Sequence, residues 1–239
     1  MLDSLLSDNL SGVHFILRWL HVYFGILWIG LLYYFNFVQG SFMAEADPVA
    51  KAQVIQKLLP RAMWWFRYAA LWTFVLGLLM LMIRSHQDMS AAGAEVFQNS
   101  YWTNILTGAL LGTLMFLNVW GIIWRAQKVV IENAKTVANG GAANPAAGPA
   151  AARALLASRT NTLFSVPMLF FMLAAPHLGY NVGENSNVML YWILALVIIG
   201  AIEFNAIKGK LGPITTIKGV ITGGFVLTAV FAVLIIALI

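Results

Sequence analysis

Apolar residues dominate this chain, and they come in stretches about as long as a membrane-spanning helix. A helix needs roughly 20 mainly apolar residues to cross about 30 Å of hydrocarbon. Stretches of this kind lie at about residues 13–38, 62–83, 103–126, 160–178, 187–207 and 216–238. The pattern predicts an all-α integral membrane protein, a bundle of about six transmembrane helices.

The segments between these stretches carry helix signals of their own. After the first stretch, Asp47-Pro48 followed by VAKAQVIQKLL predicts a short amphipathic helix at the membrane surface, with Asp47 as its cap and Pro48 as its first residue. After the third, the helical pattern continues through RAQKVVIENAKTVA, breaks at Asn-Gly-Gly and is followed by AANPAAGPAAA. We expect residues 1–239 to form a single membrane domain, with a cytoplasmic helix extension and an Ala/Gly/Pro linker at about 127–158.

Composition supports the membrane class and adds an orientation. Of the 239 residues, 61% are hydrophobic and only 10% are charged, whereas soluble domains carry about 25% charged residues. The net charge of +5 comes from loops between apolar stretches, so it does not indicate nucleic-acid binding. One side of the predicted membrane carries Lys51, Lys57, Arg61, Arg125, Lys128, Lys135, Arg153, Arg159, Lys208, Lys210 and Lys218. The other side carries only Arg84. The positive-inside rule therefore places both termini on the outer (periplasmic) side.

The candidate chemistry lies in the four histidines, His14, His21, His86 and His177. The chain has no cysteine, which excludes thiolate metal sites and covalent c-type haem attachment. All four histidines are predicted in the outer half of the membrane, with His86 in the loop after the second span. A buried intramembrane imidazole needs a partner. His21 and His177, on different spans at similar depth, are the best-placed axial pair for the iron of one b-type haem.

The first span presents a face that suits such a cofactor. His14, Arg18, His21 and Gly25 recur at spacings of four and three residues, which places them on one side of a helix. Arg18, one turn before His21, is placed to hold a haem propionate, and Gly25, one turn after it, leaves room for a flat ring. A second haem held by His14 and His86 is an open alternative. No catalytic residue is assigned from the sequence.

Four segments in different spans carry a family resemblance. They are WLHVYFGILWIGLLYYFNFVQ from Trp19, LPRAMWWFR from Leu59, NVWGIIW from Asn118 and SRTNTLFSVPMLFFM from Ser158. Together they resemble the membrane (N-terminal) part of the bacterial membrane-bound urate oxidase (urate hydroxylase) family. Full-length members are described with a periplasmic c-type cytochrome domain fused after this part. The present sequence has no Cys-x-x-Cys-His motif.

The resemblance implies a multi-pass protein of the bacterial inner (cytoplasmic) membrane, surrounded by lipid. We expect a b-type-haem redox protein that passes electrons on the periplasmic side, to a separate c-type cytochrome or within a larger membrane complex. Two other functions stay open. One is urate hydroxylation by this chain with a separate cytochrome c, in which Arg18 or Arg67 would bind the urate anion. The other is a non-redox role as an accessory subunit.

Overall fold

The computed structural model describes residues 9–93, 97–183 and 185–239. Within these residues every regular element is a helix, which confirms the predicted all-α class. The α-helices are α1 (Asn9–Tyr33), α2 (Gly40–Glu45), α3 (Pro48–Gln53), α4 (Leu59–Ala92), α5 (Ser100–Asn118), α6 (Trp124–Ala138), α7 (Ala147–His177), α8 (Val188–Lys208) and α9 (Ile217–Leu238).

Three π-helical segments join consecutive α-helices into longer ones. Tyr34–Gln39 joins α1 to α2, Val54–Leu58 joins α3 to α4, and Val119–Ile123 joins α5 to α6. The segment predicted as a separate surface helix is therefore continuous with the second long helix, which is a correction. Pro60 supplies the physical reason. Proline lacks an N–H and crowds the carbonyl four residues earlier, and the wider π turn just before it makes room.

The start of α3 is as predicted. Asp47 Oδ1 accepts hydrogen bonds from Val49 N at 2.8 Å and Ala50 N at 3.0 Å, and Pro48 is the first helical residue. These hydrogen bonds, of which the one from Ala50 has the largest effect, hold the pKa of the Asp47 carboxyl below its ordinary value. A side-chain acceptor and a proline at the first turn are the usual way to begin a helix.

Among the residues that the structure describes, five long helices have the length and hydropathy to cross a membrane. They are Gly12–Glu45, Pro48–Ala91, Ser100–Ala138, Val188–Lys208 and Ile217–Leu238. The chain is therefore a multi-pass membrane protein. The sixth long helix, α7, has 31 residues but lies outside this set, because several polar residues between 158 and 165 lower its hydropathy. It packs against α1, α5, α6, α8 and α9, so its polar residues face protein rather than lipid.

The linker before α7 is shorter than the sequence indicated. The helix that continues the third span ends at Ala138, with Gly140 at a φ of 79° in the turn. The next helix already begins at Ala147, inside the alanine-rich run. The non-helical linker is thereby confined to residues 139–146, because Pro149 lies in the first turn of α7, where proline is tolerated, and the alanines after it favour helix.

Close glycine contacts hold the neighbours of α7 in place. A Cβ atom at Gly108 of α5 would lie 3.2 Å from the backbone N of Met172. At Gly224 of α9 it would lie 2.6 Å from Val166 Cγ2 and 3.1 Å from the Leu163 carbonyl oxygen. Small residues of this kind let helix backbones approach closely in membranes.

The long helices alternate in direction, so the start of one helix and the end of the next lie at the same end of the bundle. At one end, Asn104 Nδ2 near the start of α5 donates to the Leu178 carbonyl just after α7, at 3.4 Å. At the same end, Ser186 Oγ before α8 donates to the carbonyl of Ile239 after α9, at 2.7 Å. We call this end, which has the start of α1 and the ends of α4, α7 and α9, the histidine end. The opposite end is the basic end.

Candidate functional site

The most constrained histidine is His21, which lies in the interface between α1 and α4. Its Nδ1 lies 2.8 Å from the backbone carbonyl oxygen of Thr73. A Cβ atom at Gly77, one turn further along α4, would lie 2.9 Å from His21 Cε1 and 3.2 Å from Nδ1. The imidazole therefore occupies the volume that the missing side chain of Gly77 leaves.

The contact with Thr73 fixes the tautomer of His21. A carbonyl oxygen only accepts hydrogen bonds, so Nδ1 carries the proton and donates it. A neutral imidazole then has its lone pair on Nε2. Metal-ligating histidines nearly always use one ring N–H in this way, on a carbonyl or carboxylate, and bind the metal with the other nitrogen. His21 thus has the hydrogen bonding of a ligand.

The other predicted residues of the first span lie on either side of His21. His14 is half-buried, with the charges of Arg18 and Arg84 nearby, and Arg18 itself is exposed. A Cβ atom at Gly25 would meet only Thr73 Cγ2, at 3.8 Å, within 4 Å. This is an ordinary van der Waals distance, so packing within the protein does not by itself require glycine at this position.

His86 lies in α4 rather than in a loop, which corrects the prediction. It is exposed, and its carbonyl accepts a hydrogen bond from Ser90 Oγ at 2.8 Å. The helix continues to Ala92, and an ion pair one turn apart, Arg84 Nε to Asp88 Oδ2 at 2.8 Å, supports this extension.

His177 is the last residue of α7 and is exposed. Among the described residues, no hydrogen bond involves its ring, and no group of three or more His, Cys, Asp or Glu side chains is placed to hold a metal ion. A site with one or two imidazoles suits a haem, whose porphyrin supplies the other iron ligands, better than a bare ion. The hydrogen bonding of His21 is compatible with one haem ligand, and among the described residues no contact joins His21 to His177.

A second polar site lies on α7, nearer the basic end. Asn161 Nδ2 donates to the Met115 carbonyl at 2.9 Å, and Asn118 Nδ2 donates to Asn161 Oδ1 at 3.0 Å. Asn118 Nδ2 also donates to Glu203 Oε2 at 3.0 Å. These bonds tie α5, α7 and α8 together.

The first long helix also contacts α7 close to this site. Asn36 Nδ2 donates to the Leu32 carbonyl at 2.9 Å and to Ser158 Oγ at 2.8 Å. The Tyr33 and Ser165 hydroxyls lie 2.9 Å apart. Asn36 is 2% exposed, and its Oδ1 is buried without a hydrogen-bond partner.

Arg159, next to Ser158, is buried, whereas the sequence grouped it with the cations of the polar loops. It is 9% exposed, and its Nε and Nη1 atoms are buried without hydrogen-bond partners. The reason is that α7 extends back to Ala147, which brings Arg159 inside the helical bundle.

Arg67, the other candidate for binding an anion, is held differently. Its guanidinium carbon lies 3.8 Å from the centre of the Trp124 ring and 5.0 Å from that of Tyr68. Arginine stacks well on aromatic faces. Its Nε is nevertheless buried without a hydrogen-bond partner, so the aromatic rings account for only part of the environment of Arg67.

Comparison with known proteins identifies the family. A family model described as urate oxidase N-terminal matches residues 88–235. The chain belongs to the urate oxidase N-terminal family. The match to the urate oxidase N-terminal model runs from the end of α4 into α9 and contains Arg159 and His177, whereas His21 precedes it. No curated protein and no solved structure matches the chain significantly.

Proposed function

We propose that this chain is the membrane module of a urate-oxidising system, and that it binds a b-type haem through His21 and passes electrons to a c-type cytochrome at the histidine end. Membership in the urate oxidase N-terminal family supports the assignment to urate oxidation. The observation that supports haem binding is the hydrogen bond from His21 Nδ1 to the Thr73 carbonyl. This bond leaves the lone pair on His21 Nε2 available for iron.

Each of the candidate residues would have its own role in holding the haem. His21, through Nε2, and His177, at the end of α7, would hold the haem iron. Arg18 would pair with a propionate, and Gly25 would leave space for the ring. Thr73 would keep the proton on His21 Nδ1 and thereby orient the imidazole. The bound haem would supply one-electron oxidation and reduction at its iron.

The test is haem content in purified protein. Protein from haem-replete cells, in detergent, is expected to give a b-type reduced-minus-oxidised spectrum and a pyridine haemochrome equivalent to one haem per chain. The His21→Ala variant should lose this signal, because the ligand is gone. The His86→Ala variant is the matched control, since His86 is an exposed imidazole on α4, and it should keep its haem. Colourless wild-type protein would overturn the proposal.

A glycine pair tests whether the ring lies beside Gly25. A Cβ at Gly25 makes one ordinary contact within the protein, and a Cβ at Gly30 makes none within 4 Å. Both alanine variants should therefore fold with similar stability. Only Gly25→Ala should lower haem content, because only there would the added methyl group meet the ring. Equal haem content in the two variants would place the ring elsewhere.

A further inference from the structure

A groove at the basic end carries two arginines on neighbouring helices. It lies between α6, with the π-helical segment that precedes it, and the start of α7. Its volume is about 400 Å³, within the roughly 300–1,000 Å³ that is usual for small-molecule pockets. One side is lined by Gly121, Ile122 and Arg125, and the other by Pro149, Ala150 and Arg153. We call this cavity the arginine groove.

Among the described residues, no carboxylate pairs with either arginine of the groove. The sole salt bridge there joins Arg84 to Asp88. The sequence of α7 contains no Asp or Glu, and that of α6 contains only Glu132. Glu132 follows Arg125 by seven positions, which corresponds to about 10 Å along the helix axis. Since a guanidinium stays charged under all physiological conditions, Arg125 and Arg153 offer two positive charges to a ligand.

The arginine groove crosses the predicted border of the membrane. Gly121 and Ile122 lie inside the predicted third span, which ends at about residue 126, and Arg125 lies at that end. On the other helix, Arg153 precedes the predicted fourth span, which begins at about residue 160. The groove therefore has an apolar part at the depth of lipid tails, and its charges lie at the depth of lipid headgroups.

Gly121 keeps the apolar part of the groove open. It is exposed, and a Cβ atom at this position would meet nothing within 4 Å. Arg125 follows it by four positions and lies on the same helix face. Open space on a membrane-spanning helix is filled by lipid, so the tail of a lipid can lie beside Gly121 while its headgroup reaches Arg125.

We propose that the arginine groove binds an anionic phospholipid, with the phosphate on Arg125 and Arg153 and an acyl chain along Gly121 and Ile122. Guanidinium groups bind phosphate through paired, charge-assisted hydrogen bonds. Basic pockets between transmembrane helices on the cytoplasmic side are typical sites for anionic headgroups. Free phosphate would use the arginines alone, whereas a lipid also fills the apolar part. A zwitterionic lipid brings a cation that two arginines repel, so a net negative headgroup is preferred.

The experiment is native mass spectrometry of the full chain, delipidated in detergent and titrated with phosphatidylglycerol or phosphatidylcholine. Wild type should bind the first phosphatidylglycerol about tenfold more tightly than phosphatidylcholine. The double variant Arg125→Gln/Arg153→Gln should lose most of this preference, because both guanidinium groups are gone. The double variant Arg61→Gln/Lys135→Gln is the matched control, since it removes two exposed cations that do not line the groove. It should keep the preference.

A second pair of variants tests the apolar part of the groove. Gly121→Trp should weaken phosphatidylglycerol binding, because the indole would take the place of the acyl chain. Gly200→Trp is its control, since Gly200 is an exposed glycine of α8 where a Cβ atom also meets nothing within 4 Å. This control should bind the lipid like wild type. Thermal unfolding of each variant shows whether it is folded.

Four results would overturn the proposal. They are equal binding of the two lipids by wild type, an unchanged preference in folded Arg125→Gln/Arg153→Gln, an equal loss of preference in both double variants, and displacement of phosphatidylglycerol by an equal concentration of inorganic phosphate. The third would indicate a diffuse basic surface, and the fourth a phosphate site. The measurements need neither haem nor substrate, so protein that lacks haem would refute the proposed function and leave this proposal standing.

Discussion

At the residue scale, Gly77 is what allows the His21 imidazole to reach the backbone of α4. A methyl group at this position would lie 2.9 Å from His21 Cε1, which is closer than carbon atoms pack. Gly77→Ala should therefore push the ring away from the Thr73 carbonyl and release its tautomer. We expect ring ¹⁵N chemical shifts of labelled histidine to show a protonated Nδ1 at His21 in wild type and a mixture of tautomers in the variant.

The control for this substitution is Gly30→Ala on α1, where a Cβ meets nothing within 4 Å. Its histidine ¹⁵N shifts should match those of wild type. Unchanged His21 shifts in Gly77→Ala would mean that the ring does not depend on this space.

Some contacts of individual residues could not be predicted from the sequence. His21 was identified as a candidate from the sequence, because an imidazole within an apolar span is unusual. Its partners Thr73 and Gly77 were not, since they lie 52 and more positions away and only the register between α1 and α4 selects them. The same holds for Asn36 and Ser158, 122 positions apart.

At the element scale, α7 is unusual because it continues through Pro167. The proline leaves the Leu163 carbonyl without its helical hydrogen bond, and Gly224 of α9 packs against that carbonyl and against Val166. The glycine thus allows α9 to approach α7 at the turn that lacks a helical hydrogen bond. A larger residue there would force the two helices apart.

Gly224→Ala tests this contact. A Cβ there would lie 2.6 Å from Val166 Cγ2, and overpacking of this kind typically costs roughly 1–3 kcal/mol. We expect thermal unfolding in detergent, followed by tryptophan fluorescence, to shift to lower temperature. Gly200→Ala on α8, where a Cβ meets nothing within 4 Å, should be neutral or stabilising, since alanine favours helix. A melting temperature equal to that of wild type in Gly224→Ala would contradict the contact.

Some helix boundaries were predicted correctly from the sequence, and others were not. Val188–Lys208 and Ile217–Leu238 agree closely with the predicted spans, because polar segments and glycines end them. The extensions of α4 to Ala92 and of α7 back to Ala147 were missed. Hydropathy marks where a helix leaves the apolar core, whereas backbone hydrogen bonding continues as long as the residues tolerate it.

At the scale of the whole molecule, the two ends of the bundle carry different polar side chains. The histidines lie toward one end, and the unpaired Arg159 lies toward the other with most of the loop cations. The proposed transfer of electrons to a periplasmic cytochrome requires the histidine end to face the periplasm.

The orientation can be measured directly because the chain has no cysteine of its own. Ser90→Cys introduces a thiol on exposed α4 at the histidine end, and Ala143→Cys introduces one in the exposed linker at the basic end. The positive-inside rule predicts a cytoplasmic basic end. In spheroplasts, a membrane-impermeant maleimide should therefore label the Ser90→Cys variant at once and the Ala143→Cys variant only after permeabilisation. The cysteine-free parent reports background labelling. The reverse pattern would place His21 toward the cytoplasm, and a periplasmic cytochrome could then not be its electron acceptor.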